Sequence, residues 1–186
     1  MSIAGSDERG FEFNVIVEPN EWEREMEESE SLSETERAYK EFFRDLVDAY
    51  SDRRSDWTKL KAGARNYLTF GSGKGRVRFG WVFHRGPEFT VELYISRPSG
   101  KENAEIFESL KRDEKDIESN LGKELVWEEL PEKQACRIKW SNEIEGRITT
   151  LSEDQRSELI EWGIEAMDAF YDEFEPRVSG ITLSGS

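Results

Sequence analysis

The chain has 186 residues, 41 of them acidic and 26 basic, for a net charge of −15. That length is one domain with room for a small appendage, and six Trp, eleven Phe and five Tyr can fill its core. Polar opening residues argue against a secretory signal, no apolar run reaches membrane-spanning length and a lone cysteine excludes an internal disulfide. A soluble cytoplasmic protein without membrane contact is the expectation.

A charge of this size, evenly spread, would repel nucleic acid, and it suits a halophilic protein whose self-repulsion is screened by salt. The spread is uneven. Residues 1–58 carry 17 acidic and 7 basic side chains, and residues 102–186 carry 22 and 10. Residues 59–101 hold nine basic side chains against Glu88 and Glu92 alone.

In chain order, the alternation of Phe11, Phe13, Val15 and Val17 predicts a half-buried strand ended by Pro19-Asn20. Glu21–Ser31 is acidic, with Trp22 as its one large apolar anchor, and reads as a short solvated helix or a linker. Ser33 and Glu36 match a capping box. Tyr39, Phe42, Phe43, Leu46, Val47 and Tyr50 then recur at helical spacing, so a helix is expected from about Glu34 to Ser51. Asp52–Lys61 is a polar connector with Trp57 available to pack beneath it.

Arg65–Phe70 offers a strand, followed by the loop Gly71–Gly75. In the next strand Val77, Phe79, Trp81 and Phe83 point one way while Arg76, Arg78, Gly80 and His84 point the other. Arg85-Gly86-Pro87 turns the chain. Phe89, Val91, Leu93 and Ile95 then alternate with Thr90, Glu92, Tyr94 and Ser96, the pattern of an antiparallel sheet with one covered face. After Arg97-Pro98-Ser99-Gly100 a single helix is predicted, with Ile106, Phe107, Leu110, Ile117 and Leu121 on its stripe and Gly122 as its left-handed cap.

Leu125–Leu130 and Ala135–Trp140 form a hairpin around Pro131-Glu132-Lys133. A last helix, capped by Ser152 and Gln155, buries Leu159, Ile160, Ile164, Met167, Phe170, Tyr171 and Phe174 until Pro176 stops it. The order α-β-β-β-α-β-β-α defines an α+β domain. It is an antiparallel sheet, a three-stranded meander plus a hairpin, with three helices on one face. The domain is expected over residues 33–178, between an N-terminal strand with acidic linker (1–32) and a C-terminal tail (179–186).

Candidate chemistry is sparse. The Gly71–Gly75 loop lacks the spacing and the following helix of a P-loop and reads as a hairpin loop. His84 and Cys136, the lone histidine and cysteine, fall on opposite sides of their strands, too few for zinc and badly placed for a nucleophile pair. The element order matches a PD-(D/E)XK nuclease core. However, the triplet Glu92-Leu93-Tyr94 has tyrosine where that chemistry needs lysine, so a nuclease-like fold would be inactive. Neither a catalytic residue, nor a metal site, nor a cofactor is assigned.

The wet face of the sheet remains. Arg76, Arg78, His84, Tyr94, Arg137 and Lys139 alternate away from the core, with Lys74 and Arg97 at strand ends. If both hairpins share one sheet, these eight make a cationic patch with one aromatic, suited to phosphate contact and stacking. The alternative is that the bases pair with acidic residues of the helices or of another subunit.

The run Phe13–Trp22, with Leu32–Thr35, resembles the lead-in of the DUF4268 family. The resemblance continues through Val91–Ile95, Ile117-Glu118, Leu121-Gly122, Leu125–Lys133, Arg137-Ile138, Trp162 and Phe174–Arg177. It implies a domain that often forms the C-terminal half of bacterial and archaeal proteins whose N-terminal half is similar to restriction-type or tRNA-endonuclease-like nucleases. No catalytic residue transfers, and the nuclease-like half is not seen in this chain. The expected function is a non-catalytic accessory module that binds nucleic acid or docks on a nuclease-type partner. A homodimerisation module is the alternative, and a degenerate metal-dependent nuclease a weaker one.

Overall fold

Period-two alternation in successive segments builds one five-stranded antiparallel sheet in the computed structural model. The structure describes residues 32–53 and 60–184, and every element lies in the unit Glu34–Ser186. The strands are β1 (Tyr67–Gly71), β2 (Val77–His84), β3 (Glu88–Ile95), β4 (Val126–Leu130) and β5 (Ala135–Glu143). Their spatial order is β1-β2-β3-β5-β4. The expected meander and hairpin therefore share one sheet, joined where β3 pairs with β5 in the register Leu93 to Ile138. The expected strand Phe11–Val17, the acidic stretch with Trp22, and Trp57 lie outside the described residues.

Four helices accompany the sheet: α1 (Glu34–Arg53), α2 (Gly100–Lys111), α3 (Glu114–Leu121) and α4 (Glu153–Gly180). The single helix expected before Gly122 is in fact two. The Arg112 N–H bonds back to Glu108 and the Asp113 N–H to Leu110, which ends α2. The Asp113 carboxylate is meanwhile drawn 2.8 Å from the Arg177 guanidinium of α4. That tertiary ion pair sits at the break between the two helices, and Ile117 still reaches the core from the second piece. Gly122 caps α3 with φ +67°, a backbone conformation that favours glycine.

Pro176 does not stop α4. It costs one backbone hydrogen bond, but Phe174 and Val178 on either side of it are both fully buried, and the helix runs on to Gly180. Beyond it the Ile181 carbonyl accepts a 3.0 Å hydrogen bond from Lys74 Nζ, and Leu183 is buried.

The apolar sides of β2 and β3 meet α1 and α4 through aromatic side chains. Phe42 packs edge-on against Phe83 and Phe89, and Tyr50 against Trp81. Edge-to-face pairs of this kind add stability beyond their buried area. Trp81 is fully buried, and its indole Nε1 donates to the Gly163 carbonyl of α4 at 2.9 Å. A Cβ on Gly163 would lie 3.0 Å from Phe89 and 3.4 Å from Trp81, so the bare glycine sets how closely α4 approaches the sheet.

Gly163→Val should accordingly lower the unfolding free energy by about 1–3 kcal/mol through overpacking, measured by urea denaturation. A variant as stable as the parent would refute the close approach.

Candidate nucleic-acid interface

The second face of the sheet is set by register. Across β2, β3 and β5 it runs Arg78, Tyr94, Arg137 in one row and Gly80, Glu92, Lys139 in the next. β4 adds Glu128 opposite Arg137 and Val126 opposite Lys139. The alternation thus brings Arg78, His84, Tyr94, Arg137 and Lys139 onto one face, as expected, with Lys74 and Arg97 beyond the strand ends; Arg76, expected on that face, instead precedes β2 in a left-handed conformation that breaks the alternation.

Most of these cations are already engaged. Arg137 donates to both Glu128 oxygens, from Nε at 2.9 Å and from Nη2 at 3.3 Å. Lys139 Nζ lies 2.5 Å from Glu88 and 3.9 Å from Glu128. The His84 imidazole donates from Nε2 to Glu92 Oε2 at 2.8 Å, and Thr90 donates to the same oxygen at 2.8 Å. Glu92 is 5 % exposed and Thr90 is fully buried. Such charges are stable out of water only when paired and hydrogen-bonded, and here they are.

Among the strand-end residues, Arg97 donates to Glu102 at 2.6 Å and to the Gly75 carbonyl at 2.8 Å. Lys74 is spent on the Ile181 carbonyl, which leaves the glycine loop as a structural hairpin loop. Arg76, held at φ +64°, reaches the Ser96 carbonyl from Nε at 3.4 Å. Arg78 is exposed and makes no ion pair with a described residue.

The titration behaviour follows the pairing. Burial alone would raise the Glu128 carboxyl, but the Arg137 hydrogen bond and the charges of Arg137, Lys139 and His84 hold it below the ordinary 4.5. Burial, with Glu129 and Glu108 nearby, pushes the Cys136 thiol up to about 11. Cys136 lies on the core side of β5, and His84 on the polar side of β2, so they form no pair.

A second cluster lies at the turn end of the sheet. A groove of about 930 Å³ opens between the start of α1, the approach to β1, the β2–β3 turn and the connector after β5. Arg65, Arg85 and Arg147 line it, with His84 and the aromatics Tyr39, Tyr67 and Phe83, against Glu36 as the lining carboxylate. The Ile144 N–H bonds the Pro87 carbonyl at 3.2 Å, which ties the connector to the turn. Gly146, at φ +92°, then lets the Thr150 hydroxyl accept from the Arg147 N–H at 2.9 Å. Burial of Ile148 holds the loop down while Arg147 itself stays exposed. Arg85 and Arg147 make no ion pair with a described residue.

The sequence reading counted Arg65 and Arg85 in the basic segment but assigned them no site, and it missed Arg147, Asn66 and Tyr67. Arg147 comes from an acidic stretch, and only the tertiary fold carries it to the other two. Among the described residues, no group of three or more His, Cys, Asp or Glu side chains is placed to hold a metal ion. None of the described helices is long and apolar enough to cross a membrane.

These features define a mixed α+β domain with one antiparallel sheet and a basic groove at its turn end. A family model described as a domain of unknown function, DUF4268, matches residues 38–178, and the chain belongs to that family. The matched span includes the stretches Val91–Ile95, Leu125–Lys133 and Phe174–Arg177, while Phe13–Trp22 and Leu32–Thr35 precede it. No curated protein and no solved structure matches the chain.

Two outcomes follow from this geometry. Glu128 has a depressed folded pKa, so its contribution to stability is present above pH 4.5 and is lost as pH falls through the lower folded value. Glu128→Gln should therefore flatten the acid limb of a stability-versus-pH curve, and an unchanged limb would argue against the pairing. Cys136 should react with a thiol reagent at pH 8 only after denaturant is added, since thiol and not thiolate predominates there. Fast labelling of the native protein would contradict its burial.

Proposed function

We propose that this chain is a non-catalytic binding module for nucleic acid, and that its contact surface is the groove and not the centre of the sheet. The observation that carries this reading is the division of the basic side chains. On the sheet face, Arg137, Lys139 and His84 are hydrogen-bonded to carboxylates, which leaves Arg78 there as a single cation without an ion pair to a described residue. Around the groove, Arg85 and Arg147 carry no such partner among the described residues, and Arg65 is bonded to the Tyr67 hydroxyl.

A phosphate arriving at the sheet face would have to displace an existing carboxylate. At the groove it meets guanidinium groups still open to bidentate contact. The overall charge of −15 makes this local concentration matter more, because salt screens charges beyond about a Debye length, ~10 Å at 0.1 M, and an anion at the groove feels mainly the cations within that distance. The same net charge suits work in high salt, where its long-range field is screened. An accessory role beside a nuclease-type protein is consistent with a module that binds without cutting.

A dimerisation module has less support. Among the described residues the exposed large hydrophobics are Tyr67 and Val126, which do not make the contiguous apolar patch that a stable interface buries.

The test is retention on a single-stranded nucleic-acid column at about 0.1 M salt. The parent should be retained and elute as salt rises, and Arg85→Glu with Arg147→Glu should pass straight through. Both arginines are exposed, so thermal melting should stay within about 2 °C, the scale of a ~0.5 kcal/mol surface change. A parent that is not retained, or a charge-reversed variant retained equally well, would overturn the proposal.

A further inference from the structure

We infer that the groove takes single-stranded and not duplex nucleic acid, with one base stacked on Tyr67 and flanking phosphates held by Arg85 and Arg147. This deepens the binding reading above and rests on it.

The shape comes first. The cations line a recess of about 930 Å³ bounded by four separate segments of chain. That lies at the upper end of the ~300–1,000 Å³ that small-molecule sites occupy, enough for a few unstacked nucleotides. Duplexes are read by helices or strands that enter grooves ~6–12 Å wide, whereas the lining cations here come from a turn and two connecting segments around a recess. A flexible single strand can enter such a recess.

The aromatic comes second. Tyr67 is 38 % exposed, unusual for a large ring among the described residues, and belongs to the outermost strand of the described sheet. Its hydroxyl accepts a 2.6 Å hydrogen bond from Arg65 Nη1, and the guanidinium carbon lies 5.8 Å from the ring centroid. The ring is therefore positioned before a ligand arrives, so a stacking base orders little. Tyr94, the aromatic that the sequence pattern favours, is half-buried in the row between Arg78 and Arg137 and offers no such platform.

A polar group comes third. Asn66 Nδ2 donates to the Phe83 carbonyl at 2.8 Å, which fixes its amide and leaves Oδ1 facing no described donor. An amide oxygen held this way accepts from a base amino group. Stacking surface, unpaired guanidiniums and an oriented amide converge on one groove, the combination that recognises unpaired bases on a phosphate backbone.

The experiment is fluorescence anisotropy with labelled oligo(dT) and oligo(rU) of about 12 nucleotides and a duplex of equal length, a size within the range one such module spans. Either single strand should bind at least about tenfold more tightly than the duplex. Tyr67→Ala should lower single-strand affinity by about tenfold, in line with the loss of one stacked base, and Tyr67→Trp should preserve it. Arg85→Ala and Arg147→Ala should each reduce the slope of log affinity against log salt by about one. Equal affinity for duplex and single strand, or a Tyr67→Ala protein that binds like the parent, overturns the single-strand inference and leaves the binding function standing. A parent that binds none of the three overturns both.

Discussion

The contact between Trp81 and Gly163 decides how the rest of the domain is arranged. A fully buried indole at the middle of β2 donates to a helix carbonyl 82 positions further along the chain. That bond is possible because Gly163 has no side chain to hold the two elements apart. With α4 seated there, Phe42, Phe83 and Phe89 close around it at centroid distances of 5.3 Å or less. Close packing of this density transmits any change of volume, so the position of α4 and the inward face of the sheet are fixed together. Everything that alternates away from Trp81 is thereby committed to the opposite face.

That opposite face has an electrostatic problem of its own. It carries Glu88, Glu92, Glu128, Arg137, Lys139 and His84 within four adjacent strands, several of them mostly removed from water. Isolated, any one of these would be costly to bury, and the network of pairs offsets that cost. The consequence for function is a displacement. On the sheet face Arg137, Lys139 and His84 are held by carboxylates while Arg78 stays exposed, and further cations without an ion pair to a described residue lie at the margin, where the turn, the approach to β1 and the connector after β5 converge. In a chain of −15, that margin is where an anion finds a locally favourable approach.

Membership of the DUF4268 family covers the sheet and helices but carries no chemistry with it. The residues that give this domain its specific sequence, such as Trp127, Glu128 and Trp162, are engaged in packing and pairing. Trp127 stacks edge-on against Phe107 and donates to Glu118, Trp162 packs on Phe89, and Glu128 holds Arg137. A recognisable sequence signature can thus mark the scaffold, while the surface proposed for binding is made by less distinctive loop residues.

Local periodicity was enough to determine the α+β class, the strand faces and the core, because side-chain direction in a strand repeats every two residues whatever surrounds it. It placed Phe79, Trp81, Val91 and Ile138 inward correctly, put His84 and Cys136 on opposite faces, and found the capping box at Ser152 and the left-handed cap at Gly122. It did not find the bend at Asp113 or the continuation past Pro176, because the first lies where the chain meets Arg177 of a distant helix and the second accompanies burial of Val178. Charge sums along the chain located a basic segment but could not say which bases were free. That depends on cross-strand neighbours such as Glu128 opposite Arg137, and on the connector that brings Arg147 beside Arg85. The sequence by itself determined which side of each strand faces water. Only the tertiary structure decided which charges on that side are already paired, because pairing joins residues whose separation in the chain carries no information about their distance in space.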